Sequence, residues 1–271
     1  MTGEWREIAD QIYVLRYPVL DVNATVVVGE ALTLVVDTLS TPSQASELVE
    51  AIRTVTALPW VVVNTHHHFD HAYGNQVFTP CQIWAHEEAV ALLRSDSAGK
   101  RRALYDEYAG SEPVLSAELR DVTVVAPNHM IRDTTPLDLG NRAVTLRHLG
   151  RGHTAGDLVV QVPDADILIA GDLVEQGGPP SFEDSYPLEW PHTVAKLLRL
   201  ITGPVVPGHG TVVDREFVMV QHEALTRLSW LIREGHADAA PGDKVARQAP
   251  FPEQTARIAV RRGYAELSGR V

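Results

Sequence analysis

Four histidines fall within six positions in the stretch "VVVNTHHHFDHAYGN" (residues 61–75), directly behind the apolar run Trp60 to Val63. An apolar, β-branched run of this length reads as a strand buried in a sheet. In extended chain, residues two apart point to the same side, so His66 and His68 converge on one point. Asp70 and His71 come where the chain turns into a helix, and they aim at a neighbouring point. The spacing offers two imidazoles to one metal ion and a carboxylate plus an imidazole to a second. His67 faces away from its neighbours and is not expected to be a ligand.

The rest of the chain supplies the scaffold. "IYVLRY", "ATVVVG", "LTLVVDT" and "QIWA" read as further strands of a first half. "TPSQASELVEAIRTV" reads as a helix, with Thr41 or Ser43 as N-cap and Ala45, Leu48, Val49 and Ile52 at its apolar positions. A second set of strands follows in "VTVV", "AVTLRHLG", "DLVVQV" and "DILIAGD". "WPHTVAKLLRLI" and "REFVMVQHEALTRLSWLIREG" read as helices, with "PVVPGHG" between them as a strand running into a turn. Two α/β halves of this kind pack sheet on sheet with helices outside. Residues 95–135 read as an insertion with the character of a lid. Residues 1–235 are expected to form the main domain, and 236–271 a tail whose last helical pattern, "EQTARIAVRRGYAEL", docks onto it.

Two imidazoles rarely complete a zinc site, which takes three or four protein ligands. Further ligands are therefore expected just past strands that reach the same edge. Three places fit: His153 in "LGRGHTAGD", Asp172 in "ILIAGDL" and His209 in "VVPGHG", each beside glycines that allow close approach. With Asp37 in "LVVDT" and the cluster "HHHFDH", these make five motifs in order. Over roughly residues 20–215 the chain resembles the metallo-β-lactamase superfamily. The resemblance implies an α/β fold, a four-layer αββα sandwich with a two-metal site at one edge. It implies that His66, His68 and His153 hold one metal and that Asp70, His71 and His209 hold the other. Asp172 would bridge the two and Asp37 would support them from behind. It further implies two Zn²⁺ ions and a bridging hydroxide as nucleophile, with Asp70 orienting that hydroxide or passing on its proton. Fe²⁺ or a mixed Fe/Zn pair is the alternative, as in persulfide dioxygenases of the same fold. His86, His129, His148, His192, His222 and His236 match no motif position and read as surface or hydrogen-bonded residues.

Charge and cysteine content narrow the partners. Asp and Glu number 35 against 23 Lys and Arg, a formal charge of −12, which disfavours nucleic acid and anionic membranes. The opening "MTGEWREIADQIYVL" has acids and no apolar run, so neither a signal peptide nor a membrane span is expected. Cys81 is the only cysteine, which fits a reducing, cytoplasmic setting. The oligomeric state is left open, a homodimer included. The expected reaction is hydrolysis of a small ester, thioester, lactone or amide. Dedicated β-lactamase activity is a minority reading. Asp172 stands where that branch has a cysteine, and Glu175 stands where it has a carboxylate-binding lysine. No tyrosine follows Asp172 closely, as lactonases would have, and no basic glutathione-gripping region marks the tail.

Overall fold

The computed structural model describes residues 4–270. Among these, a seven-stranded sheet runs in chain order: β1 (Trp5–Ala9), β2 (Ile12–Tyr17), β3 (Val22–Val28), β4 (Thr33–Val36), β5 (Trp60–Val63), β6 (Ile83–His86) and β7 (His129–Ile131). Neighbours are antiparallel as far as β4 and parallel from β4 to β7. Parallel neighbours need a crossover. Helix α1 (Pro42–Val55), capped by Thr41 accepting from the Gln44 amide, provides the one between β4 and β5; the short helices α2 (Phe69–Ala72) and α3 (Asn75–Phe78) lie between β5 and β6, and α4 (Glu87–Arg94) follows β6. The second sheet has the spatial order β12 (Val205–Pro207), β11 (Ile167–Gly171), β10 (Leu158–Val162), β9 (Ala143–His148), β8 (Thr134–Asp138).

The two sheets face each other across a core that includes Leu34, Val61 and Val63 from one side and Leu146, Val160 and Ile169 from the other. Residues of opposite parity, such as Val35 and Val62, point outward onto Leu48 and Ile52 of α1. Being covered on both faces, these strands read as continuous apolar runs rather than as alternations. Outside the second sheet lie α7 (Trp190–Leu198), α8 (Arg215–Ala237), the short α9 (Gly242–Ala246) and α10 (Glu253–Leu267). The result is the αββα sandwich expected from the sequence. The tail helix α10 buries Ala256, Ala259 and Val260 in the same core as α7 and α8. No helix among the described residues is long and apolar enough to cross a membrane.

Two expectations fail locally, for physical reasons. "VTVV" (residues 122–125) is not a strand. Val122 packs with Leu115 and Leu119, and the Val125 carbonyl is taken by the Asn75 side chain at 2.9 Å instead of by a ladder. Nor is all of 95–135 an insertion. Helices α5 (Ala98–Tyr108) and α6 (Pro113–Asp121) stand outside the sheets as a packed pair, whereas β7 and the start of β8 are integral to them. The edge strand β1 was not foreseen, because Arg6 and Glu7 interrupt its apolar pattern where it is half-exposed.

Leu146 is fully buried between the sheets, so Leu146→Ala should cost about 2–5 kcal/mol in urea unfolding. Met130→Ala, at a side chain 56% exposed, should stay within about 0.5 kcal/mol of the parent.

Candidate metal centre

Strands β4, β5, β9, β11 and β12 all deliver their C-terminal ends to one edge of the sandwich, and each is followed by a residue singled out above. Asp37, just past β4, sits at φ +66°, a left-handed conformation that aspartate tolerates better than most residues. Its carboxylate accepts from the Thr65 amide (2.7 Å), the Thr65 hydroxyl (2.8 Å) and His71 Nδ1 (2.8 Å). Past β5 the chain bends through 65–68 and enters the short helix α2 (Phe69–Ala72). His66 and His68 therefore lie on a bend, not on an extended strand, yet they still converge. Past β9, the Thr154 amide and hydroxyl both donate to Asp157, folding the loop that presents His153. Gly208 precedes His209 so closely against β11 that a Cβ there would collide with Asp172 Oδ1.

The hydrogen bonds fix which ring nitrogen faces inward. Asp37 and the Leu20 carbonyl are acceptors, so His71 and His209 donate to them from Nδ1 (2.8 Å each) and turn a bare Nε2 to the centre. Thr65 donates its hydroxyl proton to Asp37, which leaves it to accept from His66 Nδ1 at 3.0 Å and bares His66 Nε2. His68 is turned the other way: Nε2 donates to Asp184 at 3.1 Å, and Nδ1 faces His153 Nε2 at 2.9 Å. Asp172 stands among these rings. Its Oδ2 lies 3.4 Å from His153 Nε2 and 3.3 Å from His209 Nε2, and its Oδ1 lies 3.3 Å from His71 Nε2. Asp70 Oδ2 is 3.5 Å from His209 Nε2 and 3.7 Å from His71 Nε2.

All seven residues expected to bind metal thus come together, in two groups. His66, His68, His153 and Asp172 have donor atoms within 4.8 Å of one another, as do Asp70, His71 and His209. Zinc with tetrahedral ligands at ~2.0–2.1 Å requires ligand atoms roughly 3.3–3.4 Å apart, close to most separations seen here. His66 Nε2 and Asp172 Oδ1 are buried without a hydrogen-bond partner, which bound cations would supply. The field agrees. Burial by itself lowers a histidine, but Asp172 and Asp70 outweigh it, pushing His71 to about 9 and His209 to about 11. What favours a proton on these rings favours a cation between them. The donor set fits divalent metal.

Residues 17–209 match the sequence model of the metallo-beta-lactamase superfamily. The chain belongs to that superfamily. Over 170 residues, 59% of this chain, it is 31% identical to acyl-coenzyme A thioesterase MBLAC2 of Homo sapiens. Over 163 residues, 58% of this chain, it is 28% identical to metallo-beta-lactamase type 2 of Bacillus cereus. The matches cover 59% and 54% of those proteins, so the chain spans little more than half the length of either. Its fold is similar to that of a metallo-beta-lactamase from Pontibacter korlensis, with TM-score 0.66 at 20% identity over 83% of this chain and 99% of that one.

Sequence reasoning missed Asp184. Its carboxylate joins His68 Nε2 (3.1 Å) to His67 Nε2 (3.2 Å), which gives His67 a place behind the cluster. Burial opposes ionisation, but His68 and His67 hold the Asp184 carboxyl well below the usual carboxylate range. Arg262 of α10 anchors this loop by donating to the Asp184 and Ser185 carbonyls at 3.1 Å each. No spacing rule could have found a residue on an irregular loop 116 positions from its partner. Trp190 and Tyr186 are packing residues: Trp190 is fully buried and Tyr186 stacks under Arg151.

A carboxylate behind a ligating imidazole typically changes metal affinity about 10–100-fold. Asp184→Ala should weaken binding by that factor in competition with a chromophoric chelator, while Arg262 keeps its carbonyl partners and the metal-free protein keeps its melting temperature. A lowered melting temperature with unchanged affinity would mean that Asp184 is structural only.

Proposed function

We propose that this protein is a dinuclear, zinc-dependent hydrolase acting on a small ester, thioester, lactone or amide. The observation that carries the reading is the placement of Asp172, whose two oxygens face different histidines while one of them has no hydrogen-bond partner. That is the disposition of a bridging carboxylate. His66, His68 and His153 would hold one ion and Asp70, His71 and His209 the other, with Asp172 shared. When bound, such a pair acidifies coordinated water and polarises a carbonyl as a Lewis acid.

The chain's own residues do the rest. A cavity of about 520 Å³ opens onto His68, Asp70, His153, Asp172 and His209, in the size range of small-molecule sites. Asp70 borders that cavity and is the carboxylate positioned to orient a water and take up its proton. Asp37 and Thr65 hold His71 and His66 in the ligating tautomer, so no ring has to turn during the reaction. Thioesters belong in the substrate class because a relative carries the name acyl-coenzyme A thioesterase; what carries over is the thioester bond, not the anionic coenzyme A group. β-Lactams rank lower, because Glu175 places a carboxyl 3.5 Å from His153 Nδ1 where a lysine would be wanted. With Cys81 as the only cysteine, a cytoplasmic location suits the chain.

Metal analysis of the purified protein should give two zinc equivalents, and Asp172→Ala one or fewer. Hydrolysis of whichever member of a lactone, thioester, phosphoester and β-lactam panel is turned over should fall at least ~10³-fold in that variant, about 4 kcal/mol of transition-state stabilisation. Iron in place of zinc, with oxygen uptake on glutathione persulfide, would replace this reading with the oxygenase one.

A further inference from the structure

The walls of the cavity, rather than its floor, carry information about the substrate. Its lining is apolar at Leu20, Phe69, Leu104 and Tyr108. It is acidic at Asp21, Glu107, Glu175 and Glu183, in addition to Asp70 and Asp172. Among the described lining residues there is no lysine or arginine. Arg16 pairs with Asp21, and Arg261 stands 3.7 Å from Glu183, so these two acids are partly neutralised from outside. Glu175 is turned inward, accepting from the Ser181 amide at 3.1 Å. Glu107, on α5, is exposed and has no ion-pair partner among the described residues.

Nearby cations are diverted as well. On the same helix and the residue preceding its cap, Arg101 pairs with Asp96 and Arg102 with Asp106. Lys100 lines an adjoining cavity of about 450 Å³ that shares His68, Phe69, Leu104 and Glu107 with this one, and it does not line the cavity over the candidate metal ligands. An anionic group held in the cavity over the candidate metal ligands would therefore meet the Glu107 carboxylate, with Lys100 in the adjoining cavity. Resting on the hydrolase reading above, we propose that the site selects uncharged or cationic acyl compounds with an apolar body and discriminates against anionic ones, with Glu107 as a specificity-determining residue. At ~7 Å and an effective dielectric of ~40, one like charge lowers binding roughly five- to tenfold.

The test uses the full chain reconstituted with zinc and two matched series. Butyryl thioesters of thiocholine, N-acetylcysteamine and 3-mercaptopropionate break the same bond while the leaving thiol carries a positive, zero or negative charge. Benzohydroxamates with para-trimethylammonium, carboxamide or carboxylate groups report binding by calorimetry without turnover. The carboxylate member should be at least fivefold worse than the neutral one in kcat/KM and in Kd, with the cationic member equal to or better than neutral. Glu107→Gln should narrow the gap, and Glu107→Lys should shift the ratio of carboxylate to neutral member by tenfold or more. Equal values across the wild-type series, a preference for the carboxylate, or a gap unmoved by both variants would overturn the inference. The two readings fail separately. Hydroxamates bound in the expected order with no thioester, lactone or other ester cleaved would sink the hydrolase reading and keep the charge selection. Cleavage indifferent to charge would do the reverse.

Discussion

A carboxylate buried among imidazoles is the constraint on which this structure turns. Asp172 is 5% exposed, and moving an ionised carboxylate out of water costs several kcal/mol unless opposite charge answers it. His71, His209, His66 and His153 answer it, holding its carboxyl well below the ordinary range against the opposing effect of burial. Those rings come from both sheets. The cost of burying Asp172 is therefore repaid only when the two sheets are stacked with their edges aligned, and the site and the sandwich stabilise each other.

Alignment at that edge is enforced by polar contacts that would be expensive to leave unmade. Asn64 and Asn75 exchange amide hydrogen bonds (3.0 and 2.8 Å), and Asn64 and Thr38 both donate to the His71 carbonyl. This fully buried set fixes the bend between β5 and α2. Across the sandwich, the Asn23 amide donates to the Gly208 carbonyl at 2.8 Å, and the Asn23 side chain to the Pro207 and Gly210 carbonyls. A strand of the first sheet thus grips the turn of the second that carries His209. Shifting any one of these loops leaves buried amides or carbonyls without partners, so the ligand positions are coupled to one another.

What could be read from the sequence follows from the range of the interactions involved. Strand β5 and the histidines behind it are local: apolar run, bend and helix start lie within a dozen residues. Glycines beside His153, Asp172 and His209 mark places of close approach, so those residues stood out although the contacts are remote. Helix α10 was legible from its periodicity alone. "VTVV" was misread because β-propensity is overridden when Asn75 takes the Val125 carbonyl and Val122 packs on α6. Asp184 was invisible because its role depends on a loop path set by Arg262, in a helix far along the chain.

The structure divides chemistry from selectivity by element. Ligand-bearing residues follow strands of the sandwich, within the span that matches the superfamily model. Much of the cavity wall comes instead from α5, which stands outside both sheets, and from the irregular run after β11 that carries Glu175, Ser181 and Glu183. Helix α5 takes no part in the hydrogen bonding that fixes the ligands, so it can vary without disturbing metal geometry. Family membership therefore speaks to the floor of this pocket and leaves its walls undetermined. The second wall is not free, however. It is held at Asp184 and Ser185 by Arg262, and the Leu188 amide donates to Glu266 at 3.2 Å. Helix α10, lying beyond the matched span, consequently bears on both the orientation of His68 and the shape of the cavity, and in this chain the tail is part of the site's architecture.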